Sequence, residues 1–186
     1  MEKIDDGDEG IYLKKFDNVD GFVTNKKNKV LMLGFADCTP LMFFDPVKNV
    51  IGNAHSGWKG TLKRIGEKTI EKMTSEYKCN PEDIICLIGP HIRKCHFEVE
   101  DDVKELFYNE FKNLENIDEF IKYNRKNKKY HIDTATINKQ TLLKIGLKEE
   151  NIIDSSVCTV CNSDICHSYR AEKELSGRAV TAIEIF

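Results

Sequence analysis

The strongest constraint on this chain lies between residues 30 and 55. Val30–Phe35 (VLMLGF) is an unbroken apolar run. Leu41–Phe44 is a second, ended by Asp45-Pro46, and Val50-Ile51 opens a third that reaches Ala54-His55. Apolar runs this short, bounded by turn residues and lacking polar alternation, read as strands buried on both faces. A sheet of such strands must be covered above and below, by helices or by another sheet. A chain of 186 residues can do this in one domain, because at this size roughly 70% of the unfolded surface can be hidden.

The period then changes. Between Gly60 and Tyr77, apolar or small residues fall at Leu62, Ile65, Thr69, Ile70 and Met73, which is helical spacing, and Asn80-Pro81 ends it. Ile84–Ile88 reads as a strand running into Gly89-Pro90. Val99–Phe111 reads as a second helix with acidic residues at its start, and Thr136–Ile145 as a third stopped by Gly146. Phe22–Thr24, Tyr130–Asp133, Ile152-Ile153 and Ala179–Phe186 complete the strands. Residues 1–19 are polar and turn-rich. Residues 112–129 are charged and aperiodic, and are expected to form a mobile surface segment. Strands interleaved with about three helices predict an α/β (α+β) domain over 1–186, with helices covering sheet faces.

Composition narrows the function. Lys and Arg number 28 against 31 Asp and Glu, a net charge of −3. That balance argues against a nucleic-acid binder, which carries a basic excess or stripe. No apolar run approaches the roughly 18 residues of a membrane span. The opening residues MEKIDDGDEG lack the apolar stretch of a secretory signal, so the cytoplasm is expected. Seven cysteines, an odd number in a chain without such a signal, read as reduced thiols rather than a disulfide framework.

Four places carry candidate chemistry. Ala36-Asp37-Cys38-Thr39-Pro40 puts a thiol at a polar break between two apolar strands. Ala54-His55-Ser56-Gly57-Trp58-Lys59-Gly60-Thr61 puts a histidine at a strand end, followed by two glycines and a helix start. Such strand-to-helix turns line the working edge of α/β sheets, and free N–H groups there can cradle an anion. If the two strands are neighbours, Cys38 and His55 could hold zinc, or could act as nucleophile and base. Gly89-Pro90-His91-Ile92 and Lys94-Cys95-His96-Phe97-Glu98 read most simply as a loop with a surface histidine. Cys158-Thr159-Val160-Cys161, followed by Cys166-His167, invites a zinc-ribbon reading, although the second half lacks the usual spacing. Arg170 and Arg178 suit phosphate or carboxylate.

Taken in order, ADCTP, AHSGWKGT, IGPHIRKCHFEV, CT, SYRAE and SGR resemble the YfiH-type family. That family is long labelled laccase-domain or multicopper polyphenol oxidoreductase, and is regarded as purine nucleoside phosphorylases with adenosine deaminase activity. The resemblance implies a single α/β/β/α sandwich of mixed sheets, similar to the catalytic domain of cytotoxic necrotizing factor. It implies zinc, held by a histidine of an N-terminal Gln-x-His segment together with the counterparts of Cys38 and His55. It implies phosphorolysis of adenosine, inosine, guanosine and methylthioadenosine to free base and ribose 1-phosphate, with deamination of adenosine at the same site. Catalytic residues would be Cys38, His55 and Asp37, the last as acid/base or as an orienting group. Lys59 and Arg170 would hold phosphate. The Gln-x-His segment has no counterpart here, so the family's N-terminal region is expected to be lacking, and an open sheet edge would favour a homo-oligomer. His91, His96 or His167 could stand in as the third ligand. A copper-dependent polyphenol oxidase, a metal-free hydrolase using Cys38 and His55, and an inactive scaffold are the competing readings.

Overall fold

The computed structural model describes residues 1–3 and 19–186. The strands are β1 (Glu2–Lys3), β2 (Gly21–Thr24), β3 (Leu31–Phe35), β4 (Thr39–Asp45) and β5 (Val50–Ser56). Helices α1 (Trp58–Leu62) and α2 (Ile65–Tyr77) follow, then β6 (Ile85–Ile88) and β7 (Glu98–Val99). Helices α3 (Asp101–Phe111) and α4 (Ile117–Phe120) lead into the hairpin β8 (Ile121–Asn124) and β9 (Lys129–Ile132). Helix α5 (Thr134–Lys144), strand β10 (Ile152–Asp154), helix α6 (Tyr169–Glu172) and strand β11 (Ala179–Ile183) complete the chain.

Six strands form a mixed sheet in the order β1-β2-β5-β4-β6-β10. The apolar runs found in the sequence occupy its centre, where Leu41, Phe43, Val50, Ala54 and Ile88 are fully buried. Each of the larger of these side chains contributes roughly 1.5–3 kcal/mol. One face is covered by α2 and α5, through Ile65, Ile70, Met73 and Leu142. Gly52 permits that close approach, since a Cβ there would stand 3.0 Å from the Thr69 methyl. The other face is covered by the two-stranded sheet β3–β11, through Leu31, Leu33 and Phe35 against Phe22 and Ile51. Buried Asn53 of β5 joins the sheets: its amide donates to the Leu31 carbonyl at 3.0 Å and exchanges hydrogen bonds with the Thr181 hydroxyl. The sheet β7-β9-β8 and helix α3 bury a separate core around Phe97, Phe107 and Phe111.

Two expectations need correction. The helix read from Gly60 to Tyr77 is broken at Arg64, which is left-handed (φ 56°). Its guanidinium lies 5.1 Å from the Phe111 ring and pairs with Glu67 and Glu110, so tertiary anchoring overrides helical propensity. Residues 112–129 are not an aperiodic surface segment. They form α4 and β8, with Leu114, Ile117 and Ile121 buried. Those three residues stand at helical three- and four-residue spacing, thinly scattered among charges. The other elements read in the sequence lie within a few residues of those observed, while β1, β7 and α6 were not read, β1 falling in the stretch read as turn-rich. Asp133 caps α5 by accepting from the Thr136 N–H, and Gly146 (φ 105°) follows its end. The turn-rich expectation for residues 4–18 lies outside the described residues.

Candidate active site

The hairpin β4–β5 fixes the site. Asp45 Oδ1 accepts from the Val47 and Lys48 N–H groups at 2.8 and 2.9 Å, closing the turn. This sets Asp45 opposite Val50 and, five residues along each strand, Pro40 opposite His55, followed by Thr39 opposite Ser56. Continued past β4, the same register brings Cys38 across from Gly57. The geometry agrees: a Cβ on Gly57 would stand 3.0 Å from Cys38 Sγ and 3.7 Å from His55 Nε2. The thiol and the imidazole therefore converge on one point, and glycine leaves it open. Alternation along β5 turns His55 toward the second sheet, where its ring lies 4.9 Å from that of Phe35.

Both groups are held neutral. Burial, then the neighbouring Asp37 carboxylate, pushes the Cys38 thiol up to about 11. Burial lowers the His55 imidazole below 6.5, with Arg178 acting in the same direction and Asp20 against it. A metal-free nucleophile needs the thiolate, and this setting favours the thiol. The pair also offers one sulfur and one nitrogen donor, the chemistry zinc accepts. Catalytic zinc takes three protein ligands. Among the described residues no third histidine, cysteine or carboxylate completes a group with these two. His91 and His96 do not approach them as ligands. His91 is fully buried rather than on the surface, with Nδ1 on the Gly89 carbonyl at 2.8 Å. His96 belongs to a different cluster.

Beside Cys38 opens a pocket of about 180 Å³. Trp58, Phe97, Ile92 and Tyr169 supply apolar walls, while Thr39, Ser56, Thr134 and Arg170 supply polar groups. Arg170 donates from Nη1 to the His96 carbonyl at 2.8 Å and from Nη2 to the Glu98 carbonyl at 3.3 Å. A guanidinium carries five N–H donors, so these two bonds position it and leave others for a ligand. Lys59 does not line the pocket. Its ammonium sits 5.3 Å from the centre of the Trp58 ring. Asp37 is left-handed (φ 81°) and nearly buried. One carboxylate oxygen accepts from the Thr159 hydroxyl and the other from the Arg170 N–H, both at 2.6 Å. Asp37 thus ties the segment around 159–170 to the Cys38 turn. Helix α1 is only five residues long, too short for the anion cradle expected at its start.

A second cluster went unseen in the sequence reading. Cys95, His96, Cys158 and Cys161 bring their donor atoms within 4.8 Å of one another. Cys166-His167, which the zinc-ribbon spacing had paired with Cys158 and Cys161, takes no part. His167 lies instead 4.0 Å from Glu172. The Cys158 thiol is opposed by burial yet drawn down to about 6 by hydrogen bonds from the Arg93 and Cys161 main chain and from His96 and Cys95.

Comparison with known proteins places the chain in a family. The purine nucleoside phosphorylase YlmD of Bacillus subtilis is 36% identical over 164 residues, covering 88% of this chain and 58% of that protein. The adenosine deaminase RL5 of an unknown prokaryotic organism is 32% identical over 167 residues, covering 90% and 62%. This chain thus spans about three fifths of the length of these relatives. The crystal structure of the Bacillus licheniformis hypothetical protein YfiH superposes with a TM-score of 0.89 at 32% identity, covering 99% of this chain and 69% of that one. The mixed α/β architecture is therefore that of the YfiH and YlmD structures. With residues 2–186 matching the model of the multi-copper polyphenol oxidoreductase laccase family, the chain belongs to that family.

Proposed function

We propose that this chain carries the active site of a purine nucleoside phosphorylase that also deaminates adenosine. The observation that carries the reading is the juxtaposition of the convergent Cys38–His55 pair with a pocket walled by aromatic rings and closed by Arg170. The names of the relatives YlmD and RL5 support it. A purine is a flat π-system, and Trp58, Phe97 and Tyr169 can take it by offset stacking. Thr39 and Thr134 line the same space and suit ribose, while the Ser56 hydroxyl is engaged with Thr61 and Asn138. Arg170, already oriented by two carbonyls, holds phosphate through its remaining donors. Lys59 adds positive charge near Trp58. Adenosine, inosine, guanosine and methylthioadenosine are the substrates, and free base and ribose 1-phosphate the products.

Cys38 and His55 are two members of a zinc ligand set. Zinc bound there would supply Lewis acidity and a water of near-neutral pKa. Two donors do not make the complete set, so the roles given to the other residues stand without it: stacking the base, orienting the sugar, and neutralising phosphate. Asp37 acts by position. With both oxygens engaged it fixes the Arg170 main chain against the Cys38 turn rather than moving a proton. The pocket is read as a small-molecule site, and a net charge of −3 offers nucleic acid no basic excess.

The test is phosphate-dependent release of base from adenosine and inosine by the full-length protein, with and without added zinc. Cys38→Ala is the control. Zinc-stimulated release of adenine or hypoxanthine, lost in the variant, is the expected result. Phenol oxidation with copper, in the absence of any nucleoside turnover, would move the assignment to the older family label.

A further inference from the structure

The cluster of Cys95, His96, Cys158 and Cys161 lies outside the Cys38–His55 site and is not explained by the proposed reaction. Its geometry is specific. Cys95 Sγ stands 3.6 Å from Cys158 Sγ and 3.7 Å from Cys161 Sγ. His96 Nδ1 stands 3.2, 3.6 and 3.5 Å from the sulfurs of Cys95, Cys158 and Cys161. A tetrahedron around zinc, with Zn–S near 2.3 Å and Zn–N near 2.05 Å, has edges of about 3.8 Å between sulfurs and about 3.6 Å between sulfur and nitrogen. Five measured edges fall close to those values. A disulfide needs its sulfurs about 2.05 Å apart, and it would leave the other two donors without a purpose.

The backbone explains why four donors from distant parts of the chain meet. Strands β6 and β10 are parallel neighbours, with Asp154 opposite Ile88. Parallel neighbours leave a sheet at the same edge, so the segments after them run side by side. An isolated parallel bridge joins His91 to Cys158, with His91 N–H on the Val157 carbonyl and Thr159 N–H on the His91 carbonyl. Arg93 pairs with both Asp154 oxygens at 2.6 and 2.7 Å. This ladder places the Cys95-His96 step beside the Cys158-x-x-Cys161 turn.

We infer that Cys95, His96, Cys158 and Cys161 form a second metal site, a closed Cys3His zinc centre that staples these two segments together. Four protein donors leave no open position, the mark of a structural rather than a catalytic zinc, and three thiolates favour zinc over harder cations. The staple braces the pocket. Phe97 and the His96 carbonyl that orients Arg170 are attached to one side of it. Thr159, which holds Asp37, is on the other. The inference does not rest on the phosphorylase reading, because its primary readout is metal content.

The experiment uses the full-length protein with Cys38→Ser and His55→Ala, which removes the other donor pair. Purified from zinc-supplemented medium and dialysed against chelator, it should retain one zinc per chain. Adding Cys161→Ser should remove that zinc. Cobalt in its place should show the thiolate charge-transfer band of a tetrahedral site. Wild-type protein supplies a check that needs no variant: peptide-resolved alkylation should find Cys95, Cys158 and Cys161 protected until a mercurial releases the metal. Zinc-free double variant that is folded, iron in place of zinc, or wild-type Cys95 and Cys161 alkylating freely while zinc remains bound would each overturn the inference.

Discussion

The two sulfur-bearing regions of this molecule differ in completeness. At Cys38 and His55, two donors from adjacent strands converge beneath a pocket that has room for a ligand. At Cys95, His96, Cys158 and Cys161, four donors from two loops close on one another at the surface. The first pair sits at strand ends, where the sheet fixes position and burial keeps both groups neutral. The second group sits in segments without regular structure, which need a cross-link to hold a shape. An open set beside a cavity is arranged for chemistry; a closed set in loops is arranged for order.

Breaking the first region should cost activity without much stability. Cys38→Ala is expected to lower base release by more than about 100-fold, beyond the range of outer-sphere partners of a metal ligand. Its thermal midpoint should stay close to wild type. A comparable fall in both quantities would show that Cys38 is structural after all. Breaking the second region should cost stability. Stripping zinc from protein that lacks Cys38 and His55 should lower the midpoint by about 4–8 °C, which corresponds to about 2 kcal/mol in a chain of this size. Calorimetry of that protein with and without Cys161→Ser, which removes the zinc, measures it, and an unchanged midpoint would deprive the cluster of its role.

Asp37 connects the two regions. Asn at this position keeps the shape but has one acceptor oxygen where the carboxylate has two. Either the Thr159 hydroxyl or the Arg170 N–H then loses its partner, at about 1–3 kcal/mol. Asp37→Asn should therefore raise the KM for phosphate more than it lowers kcat. A loss confined to kcat would instead return Asp37 to acid/base duty. The smallest effect concerns pH. Burial lowers the imidazoles of His55 and His91 below 6.5. The native state then binds fewer protons than the unfolded chain in the interval below that value. Stability is full above pH 6.5 and erodes as pH falls through it. His91→Asn should shrink this acid-side decline in the thermal midpoint, because the other ring nitrogen, Nε2, is buried and has no partner among the described residues. An identical pH profile in the variant would remove His91 from the account.

Much of the candidate site was legible in the chain. The turn residue Asp45 sets the hairpin register, and that register alone carries Cys38 to Gly57. The motifs around Cys38 and His55 are contiguous, so local sequence holds both their identity and their spacing. The pocket walls were less legible. Phe97, Thr134 and Tyr169 join Trp58 from elements far apart in sequence, and no periodicity pairs them. Lys59 shows the opposite failure: its place in a motif did not put its side chain into the cavity. Residues 112–129 were misread because their three buried apolar side chains are diluted by charge.

The sequence by itself determined the central strands and put one thiol and one imidazole at the ends of two of them; the pairing of those strands then set the register. Those properties depend on neighbours a few residues away and on hydrophobic pattern. Only the tertiary structure decided that Cys158-x-x-Cys161 meets Cys95-His96 rather than Cys166-His167. His96 and Cys158 are 62 residues apart, and nothing local distinguishes one Cys-His step from another. The parallel pairing of β6 with β10 makes the choice, because it sends both loops off the same edge of the sheet.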